Sequence, residues 1–124
     1  MNTSNISKFG DVLVNFLFSA AYLGSKGLYD GFKVSNHVLM QALNRSRFKV
    51  PPRSDKHQRG DYVEALVASA WGKLLTMDEM IDILSDNIID ADMDGRENSI
   101  EAQIVAFTAL LDAIYERSND ARLL

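Results

Sequence analysis

No cysteine occurs in the 124 residues, which excludes disulfides, thiolate zinc sites and cysteine nucleophiles. Histidine is limited to His37 and His57, which argues against a transition-metal centre. A metal bound by such a chain would be a hard cation on carboxylates. The apolar stretch 12–23 is 12 residues long and carries Asn15 and Ser19, whereas a membrane span needs about 20. No basic segment leads to a small-residue cleavage site. The expectation is a cytoplasmic protein without a membrane partner. Alternating apolar and polar stretches, internal repeats and low-complexity tracts are also absent.

What is present is an ordinary globular composition, 47% hydrophobic and 24% charged, in a length that suits one domain over 1–124. The net charge of −4 conceals an asymmetry. Residues 45–59 hold Arg45, Arg47, Lys49, Arg53, Lys56 and Arg59 against Asp55 alone, a net of +5. Residues 76–101 hold nine acids against Arg96, a net of −8. The mean charge argues against a nucleic-acid partner, and the local charge does not.

The apolar spacing is helical nearly throughout and predicts an all-α fold. Helices are expected over 10–23, 34–43, 60–75, 76–89 and 99–117, with a glycine-marked loop at 24–31 and a fraying tail after Arg117. Pro51–Pro52 make the basic segment 45–60 an irregular or extended linker. Thr76 and Glu79 form a T-x-x-E capping box, and Asn98 with Glu101 offers another for the last helix.

Two segments place acids in apolar company. In GDYVEALVASAW (60–71), Asp61 and Glu64 are one helical turn apart among Val63, Ala65, Leu66, Val67, Ala68, Ala70 and Trp71. In KFGDVLVNFL (8–17), Asp11 is followed one turn later by Asn15. Carboxylates so placed cost several kcal/mol unless a cation meets them. If the two helices pack side by side, Asp11, Asp61 and Glu64 share one site. Plainer readings stand beside this one: Asp11 as an N-cap, the Asp61–Glu64 pair as a helix surface, His57 as local structure, the basic run as a solvated linker.

A third acidic stretch, DADMDGRENSIE (90–101), has the D-x-D-x-D-G-x₅-E spacing of a calcium loop, with Asp90, Asp92, Asp94 and Glu101 as ligands. Its eighth position is Glu97, where pairing with a neighbouring hand needs an aliphatic residue, and no second loop exists. An exposed helix connector is the preferred reading.

Taken together, KFGDVLVNFL, KVSNHVLMQAL (33–43) and GDYVEALVASAW resemble the ribonuclease III catalytic domain. That family carries L-E-F-L-G-D-A-V-L, V-S-N-x-x-L-A-x-A-L and A-D-x-x-E-A-L-x-G-A in this order. The similarity spans roughly residues 6–85, and the small single-domain forms, mini ribonuclease III and archaeal-type proteins, are the nearest in kind. By this resemblance Asp11 falls on the signature aspartate, and Asp61 and Glu64 on the second acid pair. Ser7 stands where the larger forms have another acid, and Lys8 where they have a partner-anchoring aromatic, with Phe9 beside it. The resemblance implies a helical bundle and a homodimeric endoribonuclease that hydrolyses double-stranded or structured RNA. It implies Mg²⁺ or Mn²⁺ on Asp11, Asp61 and Glu64, without an attached double-stranded-RNA-binding domain. RNA phosphates would meet Arg45, Arg47, Lys49, Arg53, Lys56, His57 and Arg59. The alternative in the same fold is a weak or inactive RNA-binding or assembly protein.

Overall fold

The computed structural model describes residues 3–123, with side chains placed for 5–119. Five helices follow one another: α1 (Thr3–Lys26), α2 (Asn36–Arg45), α3 (Lys56–Ala70), α4 (Met77–Asp86) and α5 (Arg96–Leu123). No strand occurs among the described residues, and the all-α expectation holds. Helix α1 packs on α3 and α4, α2 packs on α3 and α5, and α4 and α5 close the bundle.

The shared core is built from Leu13, Val14, Leu17 and Phe18 of α1, Val38, Leu39 and Leu43 of α2, and Phe107, Leu110 and Leu111 of α5. Val63 and Val67 of α3 and Met80 and Leu84 of α4 complete it. Each such side chain contributes about 1.5–3 kcal/mol by leaving water. Phe18 lies at its centre, stacked on Phe107 at 6.0 Å and edge-on to Phe32 at 4.8 Å. By length and composition alone, residues Asn5–Lys26 would suffice to cross a membrane, contrary to the shorter run read from the sequence. One face of α1 is instead committed to this core.

The two polar residues inside α1 have a structural task. Asn15 Oδ1 accepts from the Val34 amide at 2.7 Å, and Ser19 Oγ accepts from the Phe32 amide at 2.9 Å. They fasten the 27–35 connection along the helix, which then enters α2 through Ser35, whose Oγ accepts from the Val38 amide at 3.2 Å.

Several boundaries differ from the sequence expectation. Helix α1 begins at Thr3, not near residue 10, so Gly10 and Asp11 lie in its interior and Asp11 is not an N-cap. Helix α3 begins at Lys56 because Asp55 and Gln58 form a reciprocal capping box, with bonds of 2.8 and 2.9 Å. Lys56, His57 and Arg59 are therefore helical, and only 46–55 is linker. The helix ends at Ala70, where the chain turns through Gly72, whose amide donates to the Leu75 carbonyl at 2.8 Å. The Thr76–Glu79 box forms as expected and opens α4. That helix stops at Asp86 instead of 89: Asn87 caps it with its side chain donating to the Ile83 carbonyl at 2.7 Å, and Ile88 is buried beyond the helix end.

Helix α5 starts at Arg96, so Asn98 and Glu101 are not its capping box, and it runs on to Leu123 past the expected fraying point. Asn98 turns back to donate to Asp92 Oδ2 at 3.0 Å and to the Asp94 carbonyl at 2.9 Å. Lys26 holds the front of this acidic connector by donating to the Ile89 and Ala91 carbonyls at 2.9 and 2.8 Å.

Candidate active site

The site lies where α1 meets α3. Gly10 is buried there, and a Cβ added to it would run into the Glu64 backbone carbonyl. Glycine in mid-helix weakens a helix by about 1 kcal/mol, and here it permits contact of the two backbones. A parallel relation exists at Gly60, where a Cβ would run into the Asn36 side-chain oxygen. Asn36 Nδ2 in turn meets His57 Nδ1 at 2.8 Å, which ties α2 to the first turn of α3. Each glycine–aspartate pair of the sequence thus packs by its glycine and presents its aspartate at the same pocket.

Asp11, Asp61 and Glu64 all line that pocket, an open cavity of about 920 Å³. Around them stand Ser7, Lys8, Lys33, Asn36, Arg53 and Gln58. Glu64 is 5% exposed, while Asp61 is exposed and Asp11 half-buried. Val63, Val67 and Ala70 of the same helix are buried in the core, while Asp61 lines the pocket and its carboxylate remains solvated. Burial first, and then the adjacent carboxyls of Asp11 and Asp61, push the Glu64 carboxyl up to about 8. Its partner Ser7 works the other way, with Oγ donating to Glu64 Oε1 at 3.3 Å. Asp11 Oδ2 is 3.5 Å from Lys33 Nζ.

The donor set fits a hard cation in kind, because every carboxylate donor is an oxygen. It is not a closed cage: among the described residues no three His, Cys, Asp or Glu side chains are gathered closely enough to hold a metal ion. The acids of 90–101 are not gathered either. Asp92 Oδ1 accepts from the Asp94 amide at 2.9 Å, and Glu101 is taken by a two-pronged pair with Arg45 at 2.7 and 2.9 Å. With Arg96 already helical, Asp90, Asp92 and Asp94 stay in the connector while Glu101 faces α2.

The seven basic-segment candidates separate. Arg45 is held by Glu101 as above. Arg47 donates to Glu116 at 3.1 Å, its amide donates to Asp112 at 2.8 Å, and its guanidinium lies 4.9 Å from the Tyr115 ring centre. Arg59 donates from Nε to Ser54 at 3.0 Å, and His57 meets Asn36. Lys49 and Lys56 are exposed away from the pocket lining, and Arg53 alone of the seven is part of it. Sequence reasoning did not single out Lys8 or Lys33 as site cations. Lys8 was findable, since it precedes Asp11 by three residues on one helix. Lys33 was not, because contacts across the fold, the Asn15 and Ser19 bonds and the packing of Phe32 on Phe18, bring its loop to α1. Phe9, offered as a partner anchor, packs on Trp71 of its own chain at 5.7 Å while staying half exposed.

A protein-family model described as Ribonuclease III matches residues 4–120, nearly the whole chain. No curated protein matches it.

Proposed function

Because the chain belongs to the ribonuclease III family, we propose that it is a metal-dependent endoribonuclease that hydrolyses phosphodiester bonds in double-stranded or structured RNA. The observation that carries this reading is that α1 and α3 place Asp11, Asp61 and Glu64 on the lining of one open pocket that Lys8, Lys33 and Arg53 share. Mg²⁺ or Mn²⁺ would be held by these carboxylates together with water and an RNA phosphate oxygen, because the three side chains alone do not close a cage. Such an ion supplies Lewis-acid activation of water and stabilises charge on the leaving 3′-oxygen.

The chain's own residues divide the remaining work. Gly10 sets the distance between α1 and α3, and so between Asp11 and Glu64. Ser7 orients the Glu64 carboxyl and leaves the pocket one acid poorer than the larger members of the family. The pocket is open to solvent and lined mainly by polar and charged residues, which suits a duplex read by its backbone.

A homodimer is part of this proposal. Phe9, Val12, Phe16 and Leu23 are exposed at helical spacing along the outer face of α1, with Trp71 beside Phe9. A continuous apolar stripe on the helix that carries Asp11 is suited to a second copy of the chain, which would give a duplex two sites.

The test is a gel assay of a duplex RNA with Mg²⁺. Cleavage by the native protein and its loss in Asp61→Asn are expected. No cleavage, or equal cleavage by Asp61→Asn, would sink the proposal. The second reading, a binding or assembly protein that keeps the fold, is favoured by Ser7 in place of an acid. Duplex binding without strand scission would decide for it.

A further inference from the structure

Arg53 is, among the described residues, the one non-glycine position with a positive φ, 58°. It follows Pro51–Pro52 in the turn that leads into α3. Side chains of L-residues rarely adopt this backbone, and glycine or asparagine is the ordinary choice after a turn proline. The turn is fastened without Arg53: Ser54 Oγ donates to the Pro51 carbonyl at 2.5 Å and accepts from Arg59 Nε at 3.0 Å, and Asp55 caps α3. The conformation is thus imposed by its neighbours, and the arginine is tolerated there at a cost that glycine would not incur.

The arginine contributes to the pocket. It lies on the rim with Ser54 and Gln58, and Lys8 and Lys33 line the same cavity. Lys33 is 80% exposed at its side chain and only loosely paired with Asp11, so it can turn to another anion at little loss. Arg45 and Arg47, the more conspicuous cations in sequence, are instead bonded to α5. A polyanion brought to a pocket of three carboxylates is repelled unless cations stand over it. A guanidinium also offers paired N–H donors that match two phosphate oxygens.

We propose that Arg53 and Lys33 are the residues that hold an RNA phosphate over the Asp11–Glu64 acids, a statement that rests on the ribonuclease reading above and names its substrate contacts. Binding of a fluorescein-labelled RNA duplex, followed by anisotropy over a salt series in EDTA, tests it. The proteins compared are wild type, Arg53→Gly, Lys33→Met and Lys73→Met, the last an exposed lysine outside the pocket. Arg53→Gly should melt at or above the wild-type temperature, since the strained backbone is relieved. It should nevertheless bind roughly tenfold more weakly, with the slope of log K against log salt smaller by about one. Lys33→Met should show the same loss, and Lys73→Met neither.

Arg53→Gly and Lys33→Met that bind as Lys73→Met does would overturn the inference while duplex cleavage by the wild type left the enzyme reading intact. A lowered melting temperature in Arg53→Gly would make Arg53 a structural residue and overturn its part. A wild type that neither binds nor cleaves duplex RNA would end both readings together.

Discussion

Gly10 of α1 lies so close to Glu64 of α3 that a Cβ on the glycine would collide with the glutamate's backbone carbonyl. The obstacle is backbone rather than the end of a flexible side chain, so neither helix can yield locally. Gly10→Ala should therefore destabilise the fold by about 3 kcal/mol, the upper part of the range for an overpacked core. Denaturant unfolding measures this. A loss below about 0.5 kcal/mol would show that the two helices slide past each other without cost.

Glu64 sets an expected pH dependence. Its carboxyl titrates near the ordinary 4.5 when unfolded and at about 8 when folded, chiefly through burial and then through Asp11 and Asp61. Between those values the folded state binds the extra proton, so this group's contribution to stability falls as pH rises through the window and levels off beyond it. Glu64→Gln should remove that part of the slope and gain on wild type towards alkaline pH. Melting curves from pH 5 to about 9 decide it. An unchanged slope in the variant would place the titration elsewhere.

Divalent cations should reverse that penalty. If the proposed site binds Mg²⁺ or Mn²⁺, the ion would favour the ionised carboxylates and stabilise the folded state by mass action, by about 2.7 kcal/mol at a hundredfold excess over Kd. The melting temperature should rise with metal in the wild type and much less in Asp11→Asn or Glu64→Gln. Equal rises in all three would mean that the ion binds somewhere else.

The acidic connector should not be a calcium site. Arg45 bonds both oxygens of Glu101, and this pair holds the Glu101 carboxyl below its ordinary range. Calorimetric titration with Ca²⁺ should give the same result for wild type and Glu101→Gln. Loss of the exposed ion pair should change stability by no more than about 1 kcal/mol. Micromolar Ca²⁺ binding that Glu101→Gln abolishes would restore the calcium reading.

The α1 stripe predicts its own outcome. Val12 is 66% exposed and Phe16 51%, so Val12→Glu and Phe16→Glu should fold normally. In a dimer built on this face, buried glutamates would drive the protein to monomers in sedimentation. A dimer that survives both substitutions must use another surface.

Much of the fold was legible because its signals are local. Apolar spacing marked all five helices, and the Thr76–Glu79 box placed the start of α4 where it occurs. The D-x-x-Q signal at Asp55 and Gln58 is equally local, and it starts α3 four residues before the glycine at 60, despite the prolines that precede it. Asn98 and Glu101 misled for the opposite reason. Their spacing suits a cap, but each has a stronger partner in space, the Asp92–Asp94 turn for one and Arg45 for the other.

The sequence by itself determined that the chain is helical, that Asp11, Asp61 and Glu64 stand among apolar neighbours in sequence, and that its cations concentrate in residues 45–59. These properties depend on residues within a turn or two of one another, where spacing, capping and side-chain type act directly. Only the tertiary structure decided which groups meet. The Gly10 contact brings Asp11 to Glu64, the Asn15 and Ser19 bonds deliver Lys33, and α5 withdraws Arg45 and Arg47 while the turn after Pro52 leaves Arg53 at the rim. Burial of Glu64 is likewise a property of two helices pressed together, and no single helix can desolvate a carboxylate in that way.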